Sequence, residues 1–194
     1  MIAPVVALFD ANVLYSAPLP DLLIRVAREG LVSARWTKRI HDEWMRNLLQ
    51  NRPDLDRKKL QRTRELMDAA IPGSLVEHYE HRIEHLRLPD PDDRHVLAAA
   101  IEAKADLIVT FNAKDFPRRI LSAYGIDATR PDAFVLELLA RDPKGLYAAA
   151  RAHRAALLHP PFDVEQYLAT LARAGLRRSV EQLRRAVRQR QVSL

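Results

Sequence analysis

LPDPDDRHVLAAAIEAKADLIVTFNAKDFP, residues 88–117, decides how the fold is read. Asp90-Pro91 marks a helix start: Asp accepts from free backbone N–H groups as the cap, and Pro suits the first helical position. Val96, Leu97, Ala100 and Ile101 recur at helical spacing, so a helix to about Lys104 is expected. LIVT, residues 107–110, reads as a buried strand, and Asp115–Ser122 as a short helix.

The same alternation extends toward the N-terminus. VVALF, residues 5–9, is a second buried strand. Asp21 to Glu29 reads as a helix with Leu22, Leu23, Val26 and Ala27 inward and Gly30 stopping it. Leu31–Arg35 reads as a strand. Thr37 caps a helix to about Leu49, with Ile40, Trp44 and Leu48 on one face. Asp54 is expected to cap another helix, to about Ala70, whose rim carries Arg57, Lys58, Lys59, Arg62 and Arg64. After the Pro72-Gly73 turn, Ser74–Val76 is expected to be a short strand. Alternating strands and helices define an α/β class with a parallel sheet. From Pro131 the pattern is wholly helical, with helices expected over 131–141, 144–158, 163–174 and 179–190. Ser179…Gln182 has the form of a capping box and Asp163…Gln166 a looser one, and Pro160-Pro161 separates the two pairs. The expected organisation is an α/β domain over 1–130 and a helical extension over 131–194.

The chain has 194 residues, enough for one domain with a small appendage and for a core without staples. Hydrophobic residues make up 48%, which excludes a disordered chain. With no cysteine, disulfide scaffolds, thiolate zinc sites and cysteine nucleophiles are excluded. No apolar run reaches the ~20 residues a bilayer span needs, and no secretory signal is visible, so a soluble cytoplasmic chain is expected. The net charge of +6 lies wholly in residues 151–194, where nine Arg face Asp163, Glu165 and Glu181. That segment suits an anionic partner, or it is the solvated face of an amphipathic helix pair.

Several acids stand where a folded chain has a choice of uses for them. Asp10 follows the strand 5–9 directly; it is either a turn residue or a carboxylate at the strand end where open parallel sheets bind ligands. Glu43 borders the apolar stripe of its helix, and either reaches water or pairs with Arg39 or Arg46 or serves a site. Asp92 and Asp93 favour a helix dipole, but Asp93, four before Leu97 and seven before Ala100, lies on the inward stripe. Asn112 and Asp115 follow the strand LIVT, with Asp115 read as a site acid or the cap of a short helix. Four such carboxylates on one sheet rim would repel one another, and a cation relieves that repulsion. Oxygen ligands select Mg²⁺ or Mn²⁺, which suits attack of water on a phosphodiester.

At these residues the chain resembles the PIN-domain family, and within it the VapC-like toxins of prokaryotic toxin–antitoxin pairs. FDANVLYS (9–16), WTKRIHDEWMRNLL (36–49) and the 88–117 stretch carry the likeness, which covers roughly residues 5–120. The resemblance implies a three-layer α/β/α sandwich and Mg²⁺- or Mn²⁺-dependent endoribonuclease activity. It implies metal-site acids at Asp10, Glu43, Asp93 and Asp115, with Asn12, Thr110 and Asn112 supporting the site or orienting substrate. Many family members carry an acid where Asn112 stands, so Asp115 is read as its replacement or as a helix cap. The region from about Pro131 lies largely outside the family core. RNA is the implied substrate and a cognate antitoxin the implied partner, with a homodimer plausible. Lys38, Arg39, Arg46 and the 57–64 rim then hold the RNA backbone or form an ordinary solvated face.

Two further readings stay open. A phosphatase-like α/β fold also places acids after its first strand, but its second acid would be Asn12 here. A binding module that only sequesters RNA or an acidic partner needs no cleavage. His78, His81 and His85 would share a helical face if 76–86 were helical, and read as surface histidines without a fourth ligand.

Overall fold

The computed structural model describes residues 4–15, 17–158, 161–189, 192 and 194. It divides into two compact units: residues 1–15 with 32–130, and 16–31 with 131–194. The segment 16–31, which chain order would place with the α/β region, clusters instead with the C-terminal helices. Among the described residues no helix is long and apolar enough to cross a membrane.

The first unit is built on β1 (Val5–Phe9), β2 (Val32–Arg35), β3 (Leu107–Val109) and β4 (Asp127–Thr129). All neighbours are parallel, in the order β2-β1-β3-β4. Ala7, Leu8, Phe9, Ile108 and Val109 are fully buried, as expected of strands covered on both faces. β4 escaped the sequence reading because DAT offers no apolar run. It is held by its ladder to β3 and by Asp127 N–H donating to Asp106 O at 3.0 Å. The expected strand 74–76 is instead a single bridge between Trp36 and Leu75.

Helices flank the sheet: α1 (Ala11–Leu14), α3 (Lys38–Asn51), α4 (Arg57–Ala70), α5 (Arg94–Glu102) and α6 (Arg118–Leu121) belong to this unit, while α2 (Pro18–Arg28) belongs to the other. Ala98, Ala99 and Ala100 of α5 are fully buried, and α5 contacts β1 and β3. Small side chains let a helix approach a sheet closely. Thr37 caps α3, accepting from Ile40 N at 3.0 Å. Asp56, not Asp54, caps α4, accepting from Lys58 N at 2.8 Å; Asp54 is held by Arg52 through two bonds of 2.8 and 2.7 Å. The helix expected over 115–122 is broken into a 3-10 turn at Ala113–Asp115, α6 and a second 3-10 turn at Ser122–Tyr124. Pro117 explains the break, since it cannot continue a helix from the preceding turn. The His78–His85 segment is not one helix: His78 has φ 61°, and only Glu80–His85 forms a 3-10 turn.

A polar chain ties α3 and α4 to β2. Trp36 Nε1 donates to Asp68 Oδ1 at 2.7 Å, and Trp44 Nε1 donates to His41 Nδ1 at 2.8 Å. Indole N–H only donates, so the His41 ring proton sits on Nε2, 3.0 Å from Asp68 Oδ1. Burial, the largest influence on His41, lowers its pKa and keeps the ring neutral.

The second unit contains α2, α7 (Pro131–Arg141), α8 (Pro143–Ala156), α9 (Val164–Arg173) and α10 (Arg177–Arg188). Its core gathers Leu19, Leu23, Phe134, Leu146, Tyr167 and Leu183. α2 starts three residues earlier than expected, because Pro18 and Pro20 fit a first turn; Gly30 ends it at φ 78°. The true capping box is Asp163/Gln166. Ser179 lies inside α10, buried, and its hydroxyl donates to Asp132 Oδ1 at 2.7 Å. Asp132 of α7 caps α10 from outside by accepting from Arg178 N and Ser179 N at 3.0 and 2.9 Å. Pro160 and Arg190 lie outside the described residues.

Asp68→Ala leaves the Trp36 and His41 donors buried without their acceptor. We expect a loss of roughly 2–4 kcal/mol of stability, read as a lower urea midpoint with an unchanged slope.

Candidate active site

In the order β2-β1-β3-β4 the chain leaves β1 toward opposite edges, so the strand order reverses between β1 and β3. A crevice forms at the carboxyl ends of strands at such a switch point. Asp10 stands at the end of β1 and Thr110 at the end of β3. Asp10 N–H donates to Val109 O at 3.1 Å, which joins the two ends.

Asp10 is 5% exposed, yet its carboxylate is fully engaged. Oδ1 accepts from Ala11 N at 2.6 Å and so caps α1. Oδ2 accepts from Thr110 Oγ1 at 2.7 Å and Asn12 Nδ2 at 2.6 Å. The Asn12 amide oxygen accepts from Phe111 N at 2.9 Å, and Thr110 Oγ1 accepts from Asn112 N at 3.0 Å. The turn reading and the strand-end reading of Asp10 thus describe the same residue. Burial is the largest influence on its carboxyl and raises the pKa; the bonds from Thr110 and Ala11 oppose this, and the Glu43 charge adds to it.

Glu43 reaches the same place from α3. Its Oε1 lies 3.0 Å from His95 Nε2 and 3.3 Å from Arg39 Nε. Burial alone would raise Glu43, but the bonds and charges of His95 and Arg39 together hold its carboxyl below the usual value. The alternative of an ion pair with Arg39 is therefore present in the structure, and Arg46 is not its partner. His95 did not stand out in the sequence. Its only signal is a polar residue heading the apolar run 96–101, and it is 2% exposed with Nδ1 lacking a partner.

Asp93 carries the largest perturbation among these acids. It stands at the N-cap position of α5 but makes no side-chain cap bond; Asp90 caps the preceding 3-10 turn by accepting from Asp92 N at 2.9 Å. Burial, then the negative charges of Asp10, Asp90, Asp115 and Glu43, push the Asp93 pKa up to about 7. The other three sequence-selected acids, Asp10, Glu43 and Asp115, thus each lie within electrostatic reach of Asp93. Asp92 is exposed. Asp115 ends a 3-10 turn and caps no helix; Asn112 stands exposed at the start of that turn. A cavity of about 590 Å³ opens beside the cluster, lined by residues that include Glu43, Asp93, His95, Arg39 and Arg46.

Among the described residues no three carboxylate or histidine side chains are gathered closely enough to hold an ion as they stand. The donor chemistry nonetheless fits a hard divalent cation. The donors are carboxylate oxygens, and burial first, then the charges of neighbouring acids, raise the Asp93 carboxyl.

The fold is a parallel sheet with one buried acid, Asp10, and half-buried Glu43 and Asp93 near the reversal of its strand order. Residues 6–114, more than half of the chain, match the PIN domain, and the chain belongs to that family. Residues 131–185 match the VapC50 C-terminal domain, which covers most of the helical region that the sequence reading left outside the family core. The chain is 40% identical over 79 residues to "Putative ribonuclease VapC50" of Mycobacterium tuberculosis, covering 41% of this chain. That match spans 47% of the relative, about half its length. No solved structure matches the chain.

The folded protein holds the Asp93 proton more tightly than the unfolded chain, whose pKa is near the ordinary 3.8. The resulting stabilisation is full below 3.8 and is lost as pH rises through about 7. Asn cannot ionise. In metal-free buffer Asp93→Asn should therefore melt several degrees above the parent at pH 8, with the difference shrinking toward pH 4. An equal difference at both pH values contradicts the charge repulsion.

Proposed function

We propose that this chain is a divalent-cation-dependent endoribonuclease, acting as the toxin of a type II toxin–antitoxin pair. The observation that carries the reading is the buried Asp10 at the end of β1, tied by Thr110 to the end of β3, near a cavity lined by Glu43 and Asp93; burial and the charges of Asp10, Asp90, Asp115 and Glu43 also raise the Asp93 carboxyl. The 40% identity to a relative named a ribonuclease supports it.

Asp10 and Asp93 are the proposed direct holders of the cation, which is Mg²⁺ or Mn²⁺, with Glu43 and Asp115 completing the cluster. When bound, such a cation supplies Lewis-acid activation of water and neutralises charge at the leaving oxygen. The protein's own residues do the positioning. Thr110 and Asn12 fix the Asp10 carboxylate by donating to Oδ2, and Asn12 in turn holds the Phe111 backbone. His95 and Arg39 keep Glu43 ionised and aimed. Asn112 stands exposed at the rim, suited to orienting substrate. A single-stranded RNA loop is the preferred substrate, since its scissile phosphate is accessible. A cognate antitoxin and a homodimer complete the proposed partners, and the cytoplasm is the proposed location. The phosphatase-like reading is disfavoured because it needs a second acid where Asn12 stands, and the Asn12 amide here supports Asp10.

The test is incubation of the full chain with structured RNAs in Mg²⁺ or Mn²⁺, with and without EDTA. Internal cleavage should appear, stop in EDTA, and fall by at least about 100-fold in Asp10→Asn and in Asp93→Asn, while Asp93→Asn still binds RNA. RNA binding without metal-dependent cleavage would show a binding module instead. Cleavage that persists in both variants overturns the assignment of the site.

A further inference from the structure

α3 leads away from the acids toward a second hollow. The cavity beside Glu43 and Asp93 is lined by Arg39, Asp42, Glu43, Arg46 and Asn47 on this helix. A neighbouring cavity of about 620 Å³ is lined by Asp42, Met45, Arg46, Leu49, Gln50 and Arg57. The two adjoin at Asp42 and Arg46, which line both, and we read them together as a trough that reaches Arg57 at the start of α4. From Arg39 to Gln50 the helix rises by about 17 Å, which is longer than a single phosphodiester unit.

The cations on and beside this trough are not equivalent. Arg39 is bound to Glu43, Arg62 to Glu65, and Arg64 lies 3.8 Å from both Asp42 and Asp68. Neither Arg62 nor Arg64 lines either cavity. Arg46 and Arg57 do line the trough, are exposed, and form no ion pair among the described residues. Between them Met45 and Leu49 give a floor with no aromatic ring.

We propose that this trough is the track of a single RNA strand, with Arg46 at the junction and Arg57 at the far end each holding a backbone phosphate. The inference rests on the nuclease reading for its choice of RNA and narrows the broad basic rim to two residues. Guanidinium groups bind phosphate through paired N–H donors. Phosphate contacts position a strand without reading its sequence. The aromatic-free floor offers ribose and base edges an apolar surface but no stacking platform. Discrimination between sequences is therefore not made in this trough.

The experiment is fluorescence anisotropy of the full chain with a labelled single-stranded oligoribonucleotide in EDTA, across a salt series. Arg46→Gln and Arg57→Gln should each weaken binding about three- to tenfold, alike on two unrelated sequences. Each should lower the slope of log affinity against log salt by about 0.7, and the double variant by about twice that. Arg46→Lys should keep most of the slope, and Arg62→Gln should bind as the parent does. Unchanged slopes in both Gln variants overturn the track, as does a loss in Arg62→Gln equal to theirs. A parent chain that binds an acidic protein partner but no RNA also overturns it. Unaltered melting temperatures show that the exposed substitutions leave the fold intact. Cleavage in Mg²⁺, scored separately, distinguishes the two ideas. Slope losses without parental cleavage keep the track and reject the nuclease reading, whereas cleavage with unchanged slopes does the reverse.

Discussion

The hydrogen bond from Thr110 Oγ1 to Asp10 Oδ2, at 2.7 Å, joins two residues a hundred positions apart. It fixes a carboxylate at the end of β1 against the end of β3, at the place where the strand order reverses. A buried carboxylate is tolerated only when its oxygens are satisfied. Ala11, Asn12 and Thr110 satisfy them here; the Ala11 bond starts α1, and the Asn12 amide oxygen accepts from Phe111 N. The loop geometry around the site is therefore a consequence of accommodating one acid inside the sheet rim.

Around that fixed acid the charges do not balance. His95 and Arg39 serve Glu43, while Asp93 faces four acids. The protein meets this by holding a proton on Asp93 well above the ordinary carboxyl range. Perturbed carboxyls of this kind cluster at functional sites, which is why the proposed reading centres on Asp93.

Much of this was legible before any coordinates. The apolar runs at 5–9 and 107–109 gave two central strands because buried parallel strands need uninterrupted apolar sequence. Asp10, Glu43, Asp93 and Asp115 could be picked out because each interrupts or borders an apolar pattern. What stayed hidden depended on distant partners. β4 is polar and exists through its ladder to β3. Ser179 looks like a cap but is claimed by Asp132, forty-seven residues away. Asp54 and Asp56 are equally good caps by type, and Arg52 captures the first. His95 carries no periodic signal, and its pairing with Glu43 appears only when α3 and α5 meet at the same rim. The grouping of α2 with the C-terminal helices follows from its apolar face, which buries Leu19, Leu22, Leu23 and Val26.

The proposed reading turns on carboxylate charge around Asp93 that a divalent cation would neutralise. Its most direct measurement is the titration of the Asp93 carboxyl carbon by NMR in metal-free buffer and again with Mg²⁺. The account predicts a midpoint near 7 without metal and a fall of more than one pH unit when Mg²⁺ is added. A midpoint near the ordinary 3.8 in metal-free buffer, unmoved by Mg²⁺, would contradict it.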